Sequence, residues 1–130
     1  MPSTRLGDCV PYLMDAFVDT REHYETDHPG HGVLVTCTYR PPEEQMALYL
    51  IGRDPKHPGK VVTTFDGVTS FSKHNAYPSK ALDVAILVGG KVSWALADYE
   101  AFGLLAETRR LAWGGRFKAL VDGPHIETID

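Results

Sequence analysis

The sequence predicts an α+β domain built on a small, mainly antiparallel sheet. Three observations lead there. Helical and strand-like patterns are mixed without the regular strand–helix–strand alternation of a parallel sheet. The strand candidates are short and bounded by glycine, proline and polar residues. A chain of 130 residues, 43% apolar and 23% charged, suits one soluble domain spanning 1–130 with a modest core.

The elements follow in order. Val10, Leu13, Met14, Phe17 and Val18 recur at helical spacing, so a helix is expected from Cys9 to about Thr26, with Asp8 as its N-cap. "TDHPGHG" breaks the chain, and the β-branched run Val33–Tyr39 reads as a strand. In "RPPEEQMALYLIG" the prolines suit a helix start, the two glutamates suit its positive end, and Gly52 suits its stop. "VVTTFDGVTSF" predicts a hairpin about Asp66-Gly67. "KALDVAILV" is the strongest strand candidate, closed by "GGK". A helix is expected from Ser93 to Arg110, and short strands and turns after it.

Charge and composition exclude several classes. The net charge is −4 and no Lys/Arg-rich tract occurs, so neither nucleic acid nor an anionic membrane is an expected partner. No run approaches the roughly 18 apolar residues of a membrane span. "MPSTRLGDCVPYLMDAF" lacks the pattern of a secretory signal, so synthesis in the cytoplasm is expected. Cys9 and Cys37 stand far apart without a CxxC pair, which gives no cysteine zinc site or redox motif. Cys37 reads as a small buried residue; a Cys9–Cys37 bridge is the less favoured reading.

Asp83 is a carboxylate inside an apolar strand. Alternation puts it on one face with Ala81, Ala85 and Leu87, and puts Leu82, Val84, Ile86 and Val88 on a core face. Small neighbours leave room for a metal ion or substrate, although the alternation alone favours a face simply solvated at an edge strand. His74 lies nine positions earlier. The two converge only if the loop "NAYPS" folds back; otherwise His74 is a surface residue. Near the end, Asp122 and His125 flank Gly-Pro, where a turn can bring them to one locus. Two histidines and one carboxylate form a catalytic zinc set with a position left open for water. His74, Asp83 and His125 are then the ligands, and Asp122 the general base. Arg40 is a candidate for holding an oxyanion or substrate carboxylate, or else a surface ion-pair partner of Glu43 or Glu44. Gln45 is either a helix-surface residue or a support to that site. Asp27, His28 and His31 form a rival cluster better explained as a Pro/Gly turn. His23 reads as helix surface, and His57 as loop.

"TYRPPEEQMALYLIGR", "SFSKHNAYPSKALDVAI", "LAWGGRF" and "VDGPHIE", in that order, resemble the VanY-type D-Ala-D-Ala metallopeptidases. The same group includes the L-alanyl-D-glutamate endopeptidases used as phage endolysins. The family's Ser-x-His, Ala-x-Asp and acidic-x-x-His pattern matches Ser72/His74, Ala81/Asp83 and Asp122/His125, and the likeness spans about Val33 to Glu127. The resemblance implies the fold shared with the Hedgehog signalling domain and a zinc peptidase acting on peptidoglycan stem peptides. It implies Zn2+ on His74, Asp83 and His125, Asp122 as base and Arg40 on the substrate; Ser72 and Gln45 are candidates for support. A monomeric endolysin is expected, reaching the wall after release, with L-Ala–D-Glu as the bond cut. A D-Ala-D-Ala carboxypeptidase is the alternative, and a non-catalytic zinc-stabilised binding module is the competing class. Three departures stand out: a longer His74–Asp83 loop, Ile126 where an aromatic is common, and Arg110 where a glycine often ends the helix.

Overall fold

The computed structural model describes residues 2–130. Its elements are α1 (Pro11–Asp27), β1 (His31–Cys37), α2 (Pro42–Leu50), β2 (Ala81–Val88), β3 (Lys91–Val92), α3 (Leu96–Glu107), β4 (Leu111–Trp113) and β5 (His125–Thr128). The strands form one antiparallel sheet in the order β1-β2-β5-β4, with β3 pairing the end of β2. This is the expected α+β architecture. No helix among the described residues is long and apolar enough to cross a membrane.

One face of the sheet makes the core. Leu82, Ile86 and Ile126 are fully buried and Val84 nearly so, packed with Leu13, Phe17 and Tyr24 of α1 and with Tyr99, Phe102 and Ala106 of α3. Burying each large apolar side chain contributes about 1.5–3 kcal/mol, so this face anchors β2 firmly. Alternation then turns Asp83 to the opposite face. Val88, expected in the core, is exposed because it lies at the strand's end.

Several expectations are corrected. Asp8 is not the cap of α1. It sits buried in a 3-10 turn, Leu6–Asp8, and its carboxylate accepts bonds from Ser3, Arg5 and Tyr77, while α1 starts at Pro11 without a side-chain cap. The first strand begins earlier, at His31, and ends at Cys37 after a register shift beyond Val35. No hairpin forms about Asp66. Its Oδ1 instead accepts from the backbone N–H groups of Val68, Thr69 and Ser70, an alternative to ladder pairing. The third helix is shorter than expected, because Ser93 is spent outside it, bonding Ile86 O through its N–H and Asp98 through its hydroxyl. β3 was unexpected; Gly89 and Gly90, both at positive φ, make the tight turn that leads into it.

Candidate metal centre

β2 and the segments beside it build the site. Cys37, Asp83 and His125 lie in one row across three strands, since Cys37 pairs Asp83 and Asp83 pairs His125. His74 comes from the 3-10 turn Lys73–Asn75, which Ser72 and Asn75 close reciprocally. Ser72 Oγ accepts the His74 N–H, and Asn75 Oδ1 accepts the Ser72 N–H. The "NAYPS" loop then returns the chain to β2, with Ser79 buried and its hydroxyl bonded to backbone carbonyls.

The two histidines converge on one oxygen. His74 Nε2 lies 3.1 Å and His125 Nδ1 lies 3.0 Å from Asp83 Oδ1. Each ring's other nitrogen is also held: His74 Nδ1 donates to Thr38 O at 2.7 Å, and His125 Nε2 donates to Glu127 Oε1 at 2.7 Å. Both histidines are buried, and their rings meet edge to face. Burial alone would lower the His74 pKa, but its bonds to Asp83 and Cys37 carry it up to about 10. Burial likewise opposes charge on His125, yet Asp83 and Glu127 raise its pKa. Burial pushes the Asp83 carboxyl up, and the bonds from His125 and His74 outweigh it, holding the group well below the usual carboxylate range.

Donor atoms gather in two overlapping groups, each within 4.8 Å: Cys37, His74 and Asp83, and Asp83, Asp122 and His125. Asp83 belongs to both. Two imidazole nitrogens aimed at one carboxylate, each ring oriented from behind by an oxygen, fit the requirements of a divalent metal ion. Binding there would displace the two protons that now face Asp83.

The remaining candidates surround this point. Asp122 Oδ2 is 3.9 Å from His125 Nδ1, and half of its side chain meets solvent. Partial burial of the carboxyl and the nearby Asp83 charge raise its pKa in the metal-free fold. Its turn is held by Gly114, whose carbonyl accepts the Asp122 N–H; a Cβ on Gly114 would lie 2.2 Å from Asp122 O. Arg40 points inward rather than to Glu43 or Glu44. Its Nη2 is 3.5 Å from Asp83 Oδ2 and its Nη1 donates to Gln45 Oε1 at 3.0 Å. Gln45 is fully buried and donates to Phe65 O and Thr63 Oγ1, tying the long loop after α2 to Arg40. Ser72 is a turn-former, and its hydroxyl is engaged with the chain that carries His74.

The rival cluster does not assemble at this site. His31 bonds the Tyr24 hydroxyl, and His28 stacks on the Tyr24 ring while its Nδ1 bonds Tyr24 O. Asp27 pairs with His23 on the helix surface, and His57 lies near Asp54 in a loop. Cys9 and Cys37 are both free and buried. Sequence reasoning passed over Cys37, Thr38, Lys73, Asn75 and Glu127 as site residues. Of these, Glu127 carried a signal: two positions after His125 in a strand, it must share His125's face.

No family model and no curated protein matches the sequence. Among solved structures, the fold is similar to that of the L-Ala D-Glu endopeptidase ChiX of Serratia marcescens. The TM-score is 0.68 at 22% identity, over 95% of this chain and 82% of that one. At that identity the likeness shows the fold.

Proposed function

We propose that this protein is a zinc-dependent peptidase of bacterial cell-wall peptides, cutting the L-Ala–D-Glu bond of peptidoglycan stem peptides. The observation that carries the reading is the junction at Asp83. Two buried imidazoles aim at one carboxylate, with the Arg40 guanidinium against its other oxygen and the half-exposed Asp122 beside His125. A bare structural site needs neither Arg40 nor Asp122. The fold likeness to an L-Ala D-Glu endopeptidase supports the choice of substrate.

His74, Asp83 and His125 would hold the ion, which when bound supplies a Lewis acid that activates water and polarises the scissile carbonyl. Asp122 takes the proton from the attacking water as oxygen bonds to the carbonyl carbon. It then gives that proton to the departing nitrogen as the C–N bond breaks, so the carboxylate is restored. Arg40 lends its guanidinium to the charge developing on the carbonyl oxygen. Gln45 and the loop it grips fix the direction of Arg40. In this reading the protein works as a monomer at the cell wall, as a phage-type lytic enzyme.

The test is incubation of purified stem peptide with the zinc-loaded protein, with and without chelator, followed by mass spectrometry. Release of L-Ala from the D-Glu-containing fragment, abolished by chelator, is the expected result. Loss of terminal D-Ala alone would make the enzyme a D-Ala-D-Ala carboxypeptidase. Stoichiometric zinc without turnover would make it a binding module and overturn the reading.

A further inference from the structure

Beyond the three ligand candidates, a line of charge runs behind the site. His125 Nε2 donates to Glu127 Oε1 at 2.7 Å, and Glu127 Oε2 is 3.1 Å from Lys73 Nζ. Lys73 also donates to Thr128 O. The Glu127 side chain is only 18% exposed and that of Lys73 30%, so the pair is partly shielded from solvent. Glu127 reaches His125 because alternation in β5 places them on one face. Lys73 reaches Glu127 because it precedes His74 in the same capped turn.

The geometry points to Glu127 as a positioning residue for the metal centre, with Lys73 as the clamp that holds it. A carboxylate only accepts hydrogen bonds, so Glu127 keeps the proton of His125 on Nε2. Nδ1, the atom facing Asp83, is then the nitrogen free to give its lone pair to an ion. Thr38 O does the same for His74 from the other side, fixing Nδ1–H and leaving Nε2. The two histidines thus present opposite nitrogens, each set by a different kind of oxygen. Lys73 adds a second effect. One turn supplies the ligand His74 and, through its neighbouring residue, braces the strand that supplies His125. A shift of either segment is felt at both ligands.

This inference rests on the reading of His125 as a ligand, and the test separates the two. Zinc affinity is measured by chelator competition for the wild type, Glu127→Ala, Glu127→Gln and Lys73→Met, with far-ultraviolet circular dichroism on each. Long-range 1H–15N spectra of the zinc-loaded proteins report which nitrogen of His125 bears the proton. The wild type is expected to bind one zinc with His125 protonated on Nε2. Glu127→Ala is expected to weaken zinc by about 10–100-fold, with Glu127→Gln and Lys73→Met intermediate, and to speed exchange of the Nε2 proton. Folded variants that bind zinc within twofold of wild type, with an unchanged His125 signal, would overturn the positioning role. If Glu127→Ala does not fold, the same criterion applies to Lys73→Met and Glu127→Gln, which keep the side-chain volume. A wild type that binds no zinc would overturn the metal reading itself.

Discussion

At Asp122 the half-exposed carboxylate lies 3.9 Å from a ligand candidate yet belongs to the open side of the site. Removing it takes away a proton acceptor and leaves His74, Asp83 and His125 intact. Asp122→Ala is therefore expected to keep stoichiometric zinc while kcat falls by about 10²–10⁴. His74→Ala, which removes a buried ring, should lose both zinc and turnover. Metal analysis alongside stem-peptide assays checks the pair, and a fully active Asp122→Ala enzyme would sink the role of that residue. Asp66 makes the other residue-scale case. Its bond to the Thr69 hydroxyl and its three backbone bonds depress its pKa. A depressed carboxylate pKa contributes stability that is present above the unfolded value, about 4, and is lost as pH falls through the folded one. Asp66→Ala should unfold at lower urea than wild type near neutral pH, and the gap should close in acid.

Elements explain which parts of the site could be foreseen. β2 was legible because its Leu82, Val84 and Ile86 positions fix a core face, so the odd face of Asp83 follows from local pattern alone. The turn that carries His74 and the one that carries Asp122 were legible as turns, from proline, glycine and small polar residues. The place of Cys37 beside Asp83 was not, because strand register is set by tertiary pairing rather than by either strand's own sequence. The hairpin expected at Asp66-Gly67 failed because one side chain satisfied three N–H groups that a ladder would have used. The end of α3 shows a departure with an energetic meaning. Arg110 has φ of 61°, a left-handed conformation that suits glycine. Leaving it to a residue with a Cβ costs about 1–2 kcal/mol, partly offset by the greater freedom glycine has when unfolded. Arg110→Gly is expected to raise the urea midpoint slightly, and Arg110→Val to lower it.

Taken whole, the molecule gathers charge on the sheet face opposite its core and is expected to respond to a bound metal as one unit. An ion that binds only the folded chain stabilises it by mass action, by about 2.7 kcal/mol at 100 times Kd. For a chain of this size that is a rise in Tm of roughly 10 °C, read by thermal unfolding with zinc and with chelator. The pH dependence has a definite sign. His74 and His125 have raised pKa values in the metal-free fold, His74 up to about 10. Their contribution to metal-free stability is complete below the unfolded histidine value, about 6.5, and is lost as pH rises toward that folded value. A zinc ion there would have to displace those protons, so its stabilising increment should grow as pH rises from about 6.5 toward the folded His74 value of about 10. The α+β class was readable from sequence, and so were His74, Asp83, Asp122 and His125 as residues that could meet, whereas the contacts of Thr38 and Lys73 show only once the segments come together. The row Cys37–Asp83–His125 also sets an order of assembly. Asp83 and His125 are separated by 42 positions, and β5 is the last strand of the sheet to be synthesised. As the ribosome extends the chain, α1 and β1 through β4 emerge first, while the half of the centre held by His125 and Glu127 is still missing. On the proposed reading, the nascent chain therefore lacks the full set of candidate ligands until translation has delivered β5 to the edge of β2.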